Sequence, residues 1–468
     1  MKINKYIILG LLVASVIGGC TESYVEGYNT SPNSPSEVQE SNLLTATEVA
    51  VFGNVTGEFA RVTSIWIQNQ AGVSNQSQQE HATYQVYEGD NTNEWNSIYT
   101  DWLETAQNLI DQAGDENPYY KGMGLVLKAW GGGFASDMWG DVPFSEALQG
   151  TDILNPHYDT QEAVYGAIQT LLSDAITEFN KGESANVTLP GSDDLMLEGD
   201  IDQWKKLAWM LKARYANRLS KKNPTGSAAD VLSYINSAGL VGNADNVYAK
   251  FGINPNNANQ WYAFYLQRGN YMAMGEYFID KLVANSDPRL SYYAALSPDE
   301  LYEGSPADTR IPNETASPIG TYLNVNNGPV PMVTYAEMKF LQAEAYLRQS
   351  SPDAASAAAA YNDGVKASVL AVTGSAASGN FLNNHASLVA GDVDLEQVIG
   401  GKYDALFSQV EIWTDWIRTG YPTLVANPDP LARSGGIPYR FPTCIDERLY
   451  NTNAIVVNDI YEKPWFAE

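Results

Sequence analysis

The chain has 468 residues, long enough for one large core or several small ones, and carries only two Cys, at 20 and 444. Its 27 Lys and Arg stand against 55 Asp and Glu, a formal charge of −28, so its field repels nucleic acid and other polyanions unless a local basic site intervenes. The 29 Tyr and 11 Trp, with many amides, supply rings edged by hydrogen-bonding groups, which serve sugar binding or core packing equally.

The first twenty residues read MKINKYIILGLLVASVIGGC. Lys2 and Lys5 precede an apolar run from Tyr6 to Ile17 that is too short for a bilayer core needing roughly 20 residues. Residues 1–19 therefore read as a secretory leader. Gly18 and Gly19 before Cys20 resemble a bacterial lipobox, whose Cys is lipid-modified and becomes the first residue after cleavage; several acyl chains there anchor a domain without a spanning helix. The alternative is an ordinary leader with an incidental Cys. With Cys20 acylated, Cys444 stands alone and no internal disulfide forms, so packing must carry stability.

Residues 20–42, rich in Pro, Gly and small polar side chains, read as a tether. Helical character follows from Leu43 to Ile67, interrupted by Gly53 and Gly57. Gln68 to Trp95 is almost free of aliphatic residues and reads as a long loop, a class of segment that carries function disproportionately. Trp95, Tyr99, Trp102, Ala106 and Leu109 then fall on one helical face that closes at Gly114. Met123, Leu127, Trp130, Phe134 and Met138 form the next stripe, ending before Pro143. The three glycines inside it, Gly131 to Gly133, each cost about 1 kcal/mol in a helix and suggest that another backbone passes close by.

Further helices are predicted at 161–179, at 203–219 with Asp200 or Asp202 as cap, at 335–348, at 352–370 and at 403–418. Residues 241–331 read as a loop-rich insertion with short strands and one helix near Met272 to Leu282. From Pro422 to the end the chain reads as a non-helical strap. Helix pairs are suggested, but no fixed repeat can be written down. The fold class is mainly α, in one domain over residues 20–468.

The chemistry-bearing motifs are mostly negative. The three His, at 81, 157 and 385, lie in no metal-ligand spacing. Leu127 stands where a dinucleotide fingerprint begun by Gly122 and Gly124 needs its third Gly, and Lys402 lacks the rest of a phosphate loop. No cofactor fingerprint is present. There is no Gly-x-Ser-x-Gly elbow, chance carboxylate pairs are too numerous to define a glycosidase dyad, and GDIDQW and GDVDLEQ lack the Gly and distant Glu of a calcium loop.

Several ordered blocks remain: NTSPNSP, LVLKAWGGGFASDMWGDVPFSEAL, DIDQWKKLAWMLKARYANRLS, NSDPRLSYY, VTYAEMKFLQAEAYLR, EIWTDWIRTGYP and IPYRFPTCIDERLYN. Their number and order resemble the SusD/RagB group of nutrient-binding outer-membrane lipoproteins over nearly the whole chain after Cys20. Ile417, where many relatives have Arg, and Phe441, where they have Tyr, depart from that pattern. The resemblance implies a tetratricopeptide-like helix-pair bundle with a loop-rich ligand face. It also implies lipid anchoring in the outer membrane, no catalysis, and a lid-like position over a SusC-like TonB-dependent transporter. Arg440 with Glu447, and Arg418 with Asp415, are expected as ion pairs pinning the strap.

Two stretches combine rings with amides as a binding face requires. One holds Trp66, Gln68, Asn69, Tyr84 and Tyr87; the other holds Asn259, Trp261, Tyr262, Tyr265 and Arg268. Trp261 and Tyr84 are the expected stacking platforms, with the amides and Arg268 orienting hydroxyls. Trp95, Trp102, Trp130 and Trp204 belong to core stripes. The expected function is capture of oligosaccharides and their delivery to the transporter; the alternatives are peptide capture by the same architecture, a secreted glycosidase, or a purely structural partner subunit.

Overall fold

The computed structural model describes residues 38–308 and 314–468; the leader, Cys20 and most of the tether lie outside them. The fold is mainly α. Helices α1 (Glu40–Thr56) and α2 (Glu58–Trp66) meet at Gly57, whose φ of −93° and ψ of −128° break the helix, while Gly53 is carried inside α1. The expected long loop follows, containing a short strand β1 (Gln70–Gly72) and a wide helical turn over Ser77–His81. Helix α3 (Thr92–Asn96) runs through a π-helical stretch, Ser97–Leu103, into α4 (Glu104–Ala113).

Helix α5 (Pro118–Trp139) starts with Pro at its first turn, where the missing N–H costs nothing. Its three glycines make room for side chains, not for the backbone expected from sequence. A Cβ at Gly133 would sit 2.2 Å from Tyr215 Cζ, one at Gly132 2.3 Å from Phe144 Cε2, and one at Gly131 2.8 Å from Leu103. Strands β2 (Val142–Pro143) and β3 (Tyr158–Asp159) pair antiparallel and lead into α6 (Gln161–Phe179), capped by Thr160. Helix α7 (Ile201–Arg218) is capped by Asp200, which accepts from the Asp202 and Gln203 amides.

Helix α8 (Pro224–Ala238) has no counterpart among the expected helices, although Asn223 caps it and Gly239 ends it in the left-handed region. Strand β4 (Val247–Ala249) pairs with β6 (Val330–Val333). Between them lie α9 (Gln260–Arg268), β5 (Met272–Met274), α10 (Glu276–Ala284) and α11 (Leu290–Tyr293). The single helix expected near 272–282 is thus a strand followed by a helix.

Helices α12 (Tyr335–Arg348) and α13 (Ala354–Thr373) pack as a pair, α14 (Gly379–His385) follows, and α15 (Leu395–Ala405) closes on the pair. The helix expected over 403–418 is broken: α15 ends at Ala405, Ser408 turns at φ 58°, and α16 (Val410–Thr419) begins afresh. The strap holds a short helix, α17 (Ile445–Tyr450), and a 3-10 turn over Trp465–Ala467 in otherwise irregular chain. Neighbouring helices pack in pairs, α5 with α6, α7 with α8 and α12 with α13.

Trp95, Trp102, Trp130 and Trp204 are all buried, as their stripes require. A buried ionic network crosses the helix pairs. Arg218 on α7 binds Asp137 on α5 and Glu411 on α16, while Arg214 binds Glu337 on α12. Arg418 meets Asp415 at 2.9 Å, yet both lie on α16, so this pair stays within one bundle helix and does not pin the strap. Arg440 does not meet Glu447. Its guanidinium donates to the Trp139 carbonyl and lies 3.4 Å from Glu462, while Glu447 accepts from the Tyr158 hydroxyl at 3.0 Å. Among the described residues no helix is long and apolar enough to cross a membrane.

Candidate ligand cavity

Helix α2 ends at Trp66, and the chain turns through Gln68 with φ 60° to enter β1. β1 pairs antiparallel with β5, Ala71 opposite Ala273. This two-stranded ribbon carries the first turn of α10 up against the end of α2: the Gly275 amide donates to the Asn69 carbonyl at 3.0 Å, and a Cβ on Gly275 would lie 2.3 Å from Gln68 O. Ser305 then clamps the start of α10, donating its amide to Met274 O at 2.8 Å and accepting from the Glu276 amide at 2.9 Å.

Between these elements and the segment Thr423–Pro428 lies a cavity of about 660 Å³, within the size range of ligand sites. Gln68 and Tyr84 both line it and both hold φ at 60°, a left-handed conformation that costs a non-glycine residue on the order of 1–3 kcal/mol and gathers at functional sites. Gln68 Nε2 donates to Val425 O at 2.6 Å, and Tyr84 Oη accepts the Asn427 amide at 2.9 Å. Burial pushes the Tyr84 hydroxyl above its ordinary value.

Tyr277 forms another wall, half-buried and edge-on to Tyr403 at 6.0 Å between centroids. Burial first, and the Asp404 and Glu396 charges after it, raise its hydroxyl pKa. Ser305 Oγ is buried at the wall with no hydrogen-bond partner among the described residues. Glu276, Asp280 and Asp308 also line the cavity. The lining cation Lys281 is already matched, 2.6 Å from Asp404 and 2.8 Å from Gly400 O. Among the described residues the lining therefore carries an excess of carboxylate, which suits a neutral or cationic polar guest. A second cavity of about 240 Å³ shares Tyr277 and Lys281 with it.

Of the residues expected from sequence, Gln68 and Tyr84 meet here. Trp66 and Trp261 have no exposed surface: Trp66 packs on Trp413 and Phe441, and Trp261 belongs to the same core. The platform expected at Trp261 is not open to a ligand, because α9 turns that face inward. Asn69 is buried, its Oδ1 accepting the Ser408 amide at 3.0 Å. Asn259 is buried too and caps α9, accepting from the Trp261 amide at 2.8 Å. Tyr265 donates to Gln70 Oε1 at 2.9 Å from inside. Tyr262 is half-buried on α9 and lines neither cavity. Arg268 is exposed at the end of α9, 6.0 Å from the Phe264 ring centroid, and Tyr87 is exposed beneath the Arg433 guanidinium.

Tyr277, Ser305 and the Thr423–Pro428 wall escaped the sequence reading. Tyr277 sits in a segment read only as helix, and Ser305 carries no motif. A weak signal exists in Gly275, the N-cap of α10, and in Gly304, where a Cβ would lie 2.3 Å from Glu276 Cα.

Comparison with known proteins adds a family. A family model, SusD-like_2, described as "Starch-binding associating with outer membrane", matches residues 32–442. The fold is similar to a solved chitin-binding protein at 24% identity and a TM-score of 0.77, covering 92% of this chain and 100% of that one. It is also similar to a chitin-binding SusD homolog from Flavobacterium johnsoniae, at 20% identity and a TM-score of 0.77, covering 91% and 99% of the two chains. A SusD/RagB family protein from Bacteroides thetaiotaomicron aligns at 23% identity and a TM-score of 0.74, covering 92% and 99%. The comparison with curated proteins returned no match.

Proposed function

The chain belongs to the SusD-like family, and from that membership and the cavity between α2, β1 and α10 we propose that it captures oligosaccharides at the cell surface. The observation that carries the reading is the cavity wall itself: Gln68 and Tyr84 held in the left-handed region at the rim of a 660 Å³ hollow, beside Tyr277 and the unpartnered Ser305 hydroxyl. Backbone strain at a ligand wall is preorganisation, since the groups already stand where the guest needs them. The excess carboxylate favours neutral or amine-bearing sugars over uronates.

The leader over residues 1–19 is removed and Cys20 carries the lipid that holds the protein to the outer membrane. The domain binds without cleaving and passes its cargo to a SusC-like TonB-dependent transporter. Support for these steps comes from the lipobox-like end of the leader, the family description of association with the outer membrane, and the chitin-binding relatives of the same fold.

The test is a glycan and peptide array probed with full-length protein in detergent, followed by calorimetry on the hits and chromatography of the glycans after incubation. Retention of neutral oligosaccharides that emerge intact, weakened at least tenfold by Tyr277→Ala, is expected. Retention of peptides alone, or shortening of the glycan, overturns the reading.

A further inference from the structure

A second hollow, of about 760 Å³, opens on another side of the molecule and shares no lining residue with the first. Its floor is the outer face of α1, where Val49 is 55% exposed and Phe52 lies beneath it. Phe251, just past β4, forms a half-buried side wall, its ring 6.1 Å from that of Phe52. The opposite walls are the loop 191–198 and the turn before α9.

Four polar side chains on these walls, Ser192, Asn256, Asn257 and Gln260, make no hydrogen bond among the described residues. Each can both donate and accept. The turn that presents them is fixed by its backbone. The Gly252 amide donates to Asn257 O at 2.8 Å, the Asn257 amide to Asn254 O at 3.0 Å, and the Asn259 amide to Asn326 O at 2.7 Å. Asn326 Nδ2 ties the same turn down through Ile253 O at 3.0 Å. Uncommitted amides on a pinned turn lose little freedom when a guest arrives.

The charges at this hollow are already spent. Glu198 and Lys250 pair at 2.7 Å. Asp194 accepts the Met196 and Leu197 amides on one oxygen, and the Gly199 amide and Trp204 Nε1 on the other. Glu198, like Gln68 and Tyr84, is held in the left-handed region, at φ 59°. An aromatic wall, an apolar floor, a rim of two-way hydrogen-bonding groups and no free charge match a neutral sugar, whose C–H faces pack on rings while its hydroxyls donate and accept. An extended peptide finds no strand edge to pair with here, because none of the β4 residues Val247–Ala249 lines the hollow.

We propose that this hollow is a second binding site for a neutral oligosaccharide, independent of the cavity between α2 and α10. The claim does not rest on the function proposed for that cavity, and one experiment separates the two. Hydrogen exchange with mass spectrometry is measured on full-length protein in detergent with and without saturating maltohexaose or hexa-N-acetylchitohexaose, with a Ser-Gly hexapeptide as comparison. Two variants accompany the wild type. Val49→Trp fills the hollow from its exposed floor, and Asn257→Ala with Gln260→Ala removes two amides while leaving the backbone bonds of the turn.

The expected result is slowed exchange over residues 190–198 and 250–260 with a hexasaccharide, erased by Val49→Trp and weakened at least tenfold in apparent affinity by the double variant. Slowing confined to residues 68–72 and 272–281 overturns the second site and leaves the first. Slowing confined to 190–198 and 250–260 carries the second site and overturns the first. Slowing by the hexapeptide alone, or by no probe at all, overturns the proposal.

Discussion

Gln68 and Tyr84 share one backbone conformation, φ 60°, and hold one segment of chain between them: Gln68 Nε2 bonds Val425 O and Tyr84 Oη takes the Asn427 amide. Two residues in costly conformations, sixteen positions apart in sequence, are thereby fastened to the same wall of one cavity. Glycine adopts that φ at no steric cost, so Gln68→Gly exchanges one hydrogen bond, worth about 1 kcal/mol, for relief of strain of similar size. Unfolding in urea is expected to show stability within about 1 kcal/mol of wild type, while calorimetry shows oligosaccharide affinity down about tenfold. Lower stability with unaltered affinity would contradict a role for this strain in binding.

The carboxylates of the cavity set the sign of its preference. Among the described residues Glu276 and Asp280 have no ion-pair partner, and Lys281 is engaged by Asp404. Removing two negative charges near the guest, in the Glu276→Gln with Asp280→Asn variant, relieves about 1 kcal/mol or more of repulsion on an anionic sugar. Binding of an oligouronate is expected to strengthen about tenfold at low salt and less at high salt, with a neutral oligosaccharide nearly unaffected. Equal changes for both sugars would show that charge is not what selects.

Two glycine-to-alanine changes are expected to act in opposite directions. Gly133 on α5 faces Tyr215, whose hydroxyl donates to Trp130 O at 3.2 Å, so the ring cannot swing clear of a new methyl. Gly133→Ala is expected to lose about 1–3 kcal/mol by overpacking. Gly166 on α6 has nothing within 4 Å of a built Cβ, and Gly166→Ala is expected to gain about 0.5–1 kcal/mol from backbone entropy. Thermal unfolding of both variants decides it; two shifts of the same sign would contradict this account of α5.

The acid limb of stability follows from the buried network. Burial alone raises the Glu344 carboxyl, but the Arg418 and Arg348 charges outweigh it and hold the group down to about 2; Glu411 is likewise held well below the carboxylate range by Arg218 and Arg214 against burial. A carboxylate lowered on folding stabilises fully above its unfolded pKa, near 4.5, and loses that contribution as pH falls through its folded value. Stability is therefore expected to fall between pH 4.5 and 2, with Glu344 alone contributing on the order of 3 kcal/mol. Arg418→Met, which leaves Glu344 with Arg348 alone and Asp415 with Lys402 alone, is expected to cost about 3 kcal/mol at pH 7 and to flatten the acid limb. Urea titrations at pH 7, 4.5, 3 and 2 test both; a variant as steep as wild type would remove Glu344 from the explanation.

The helical stripes were legible in the sequence because burial on a helix has a fixed period. Gln161–Phe179 and Tyr335–Arg348 fall where their spacing places them, and Asp200 caps its helix as its side chain allows. The ordered blocks likewise pointed to the family. The break at Ser408 was hidden, because it interrupts a helical pattern without Gly or Pro to mark the place, while at Met272–Met274 the following Gly275 left only a faint mark. The inward turn of α9 was hidden as well: an Asn-capped, ring-rich segment reads the same whether its Trp faces ligand or core, and only the elements packed on it decide.

What the amino-acid order determined by itself is therefore local: periodicity, caps, and an acidic, amide-rich composition that disfavours polyanions. The tertiary structure decided which residues share a wall. Tyr277, Ser305 and Val425 come to Gln68 from three separate parts of the chain, carried there by a strand pair only three residues long. No short-range rule encodes such a meeting, because a cavity is the space left between elements and depends on how all of them pack at once.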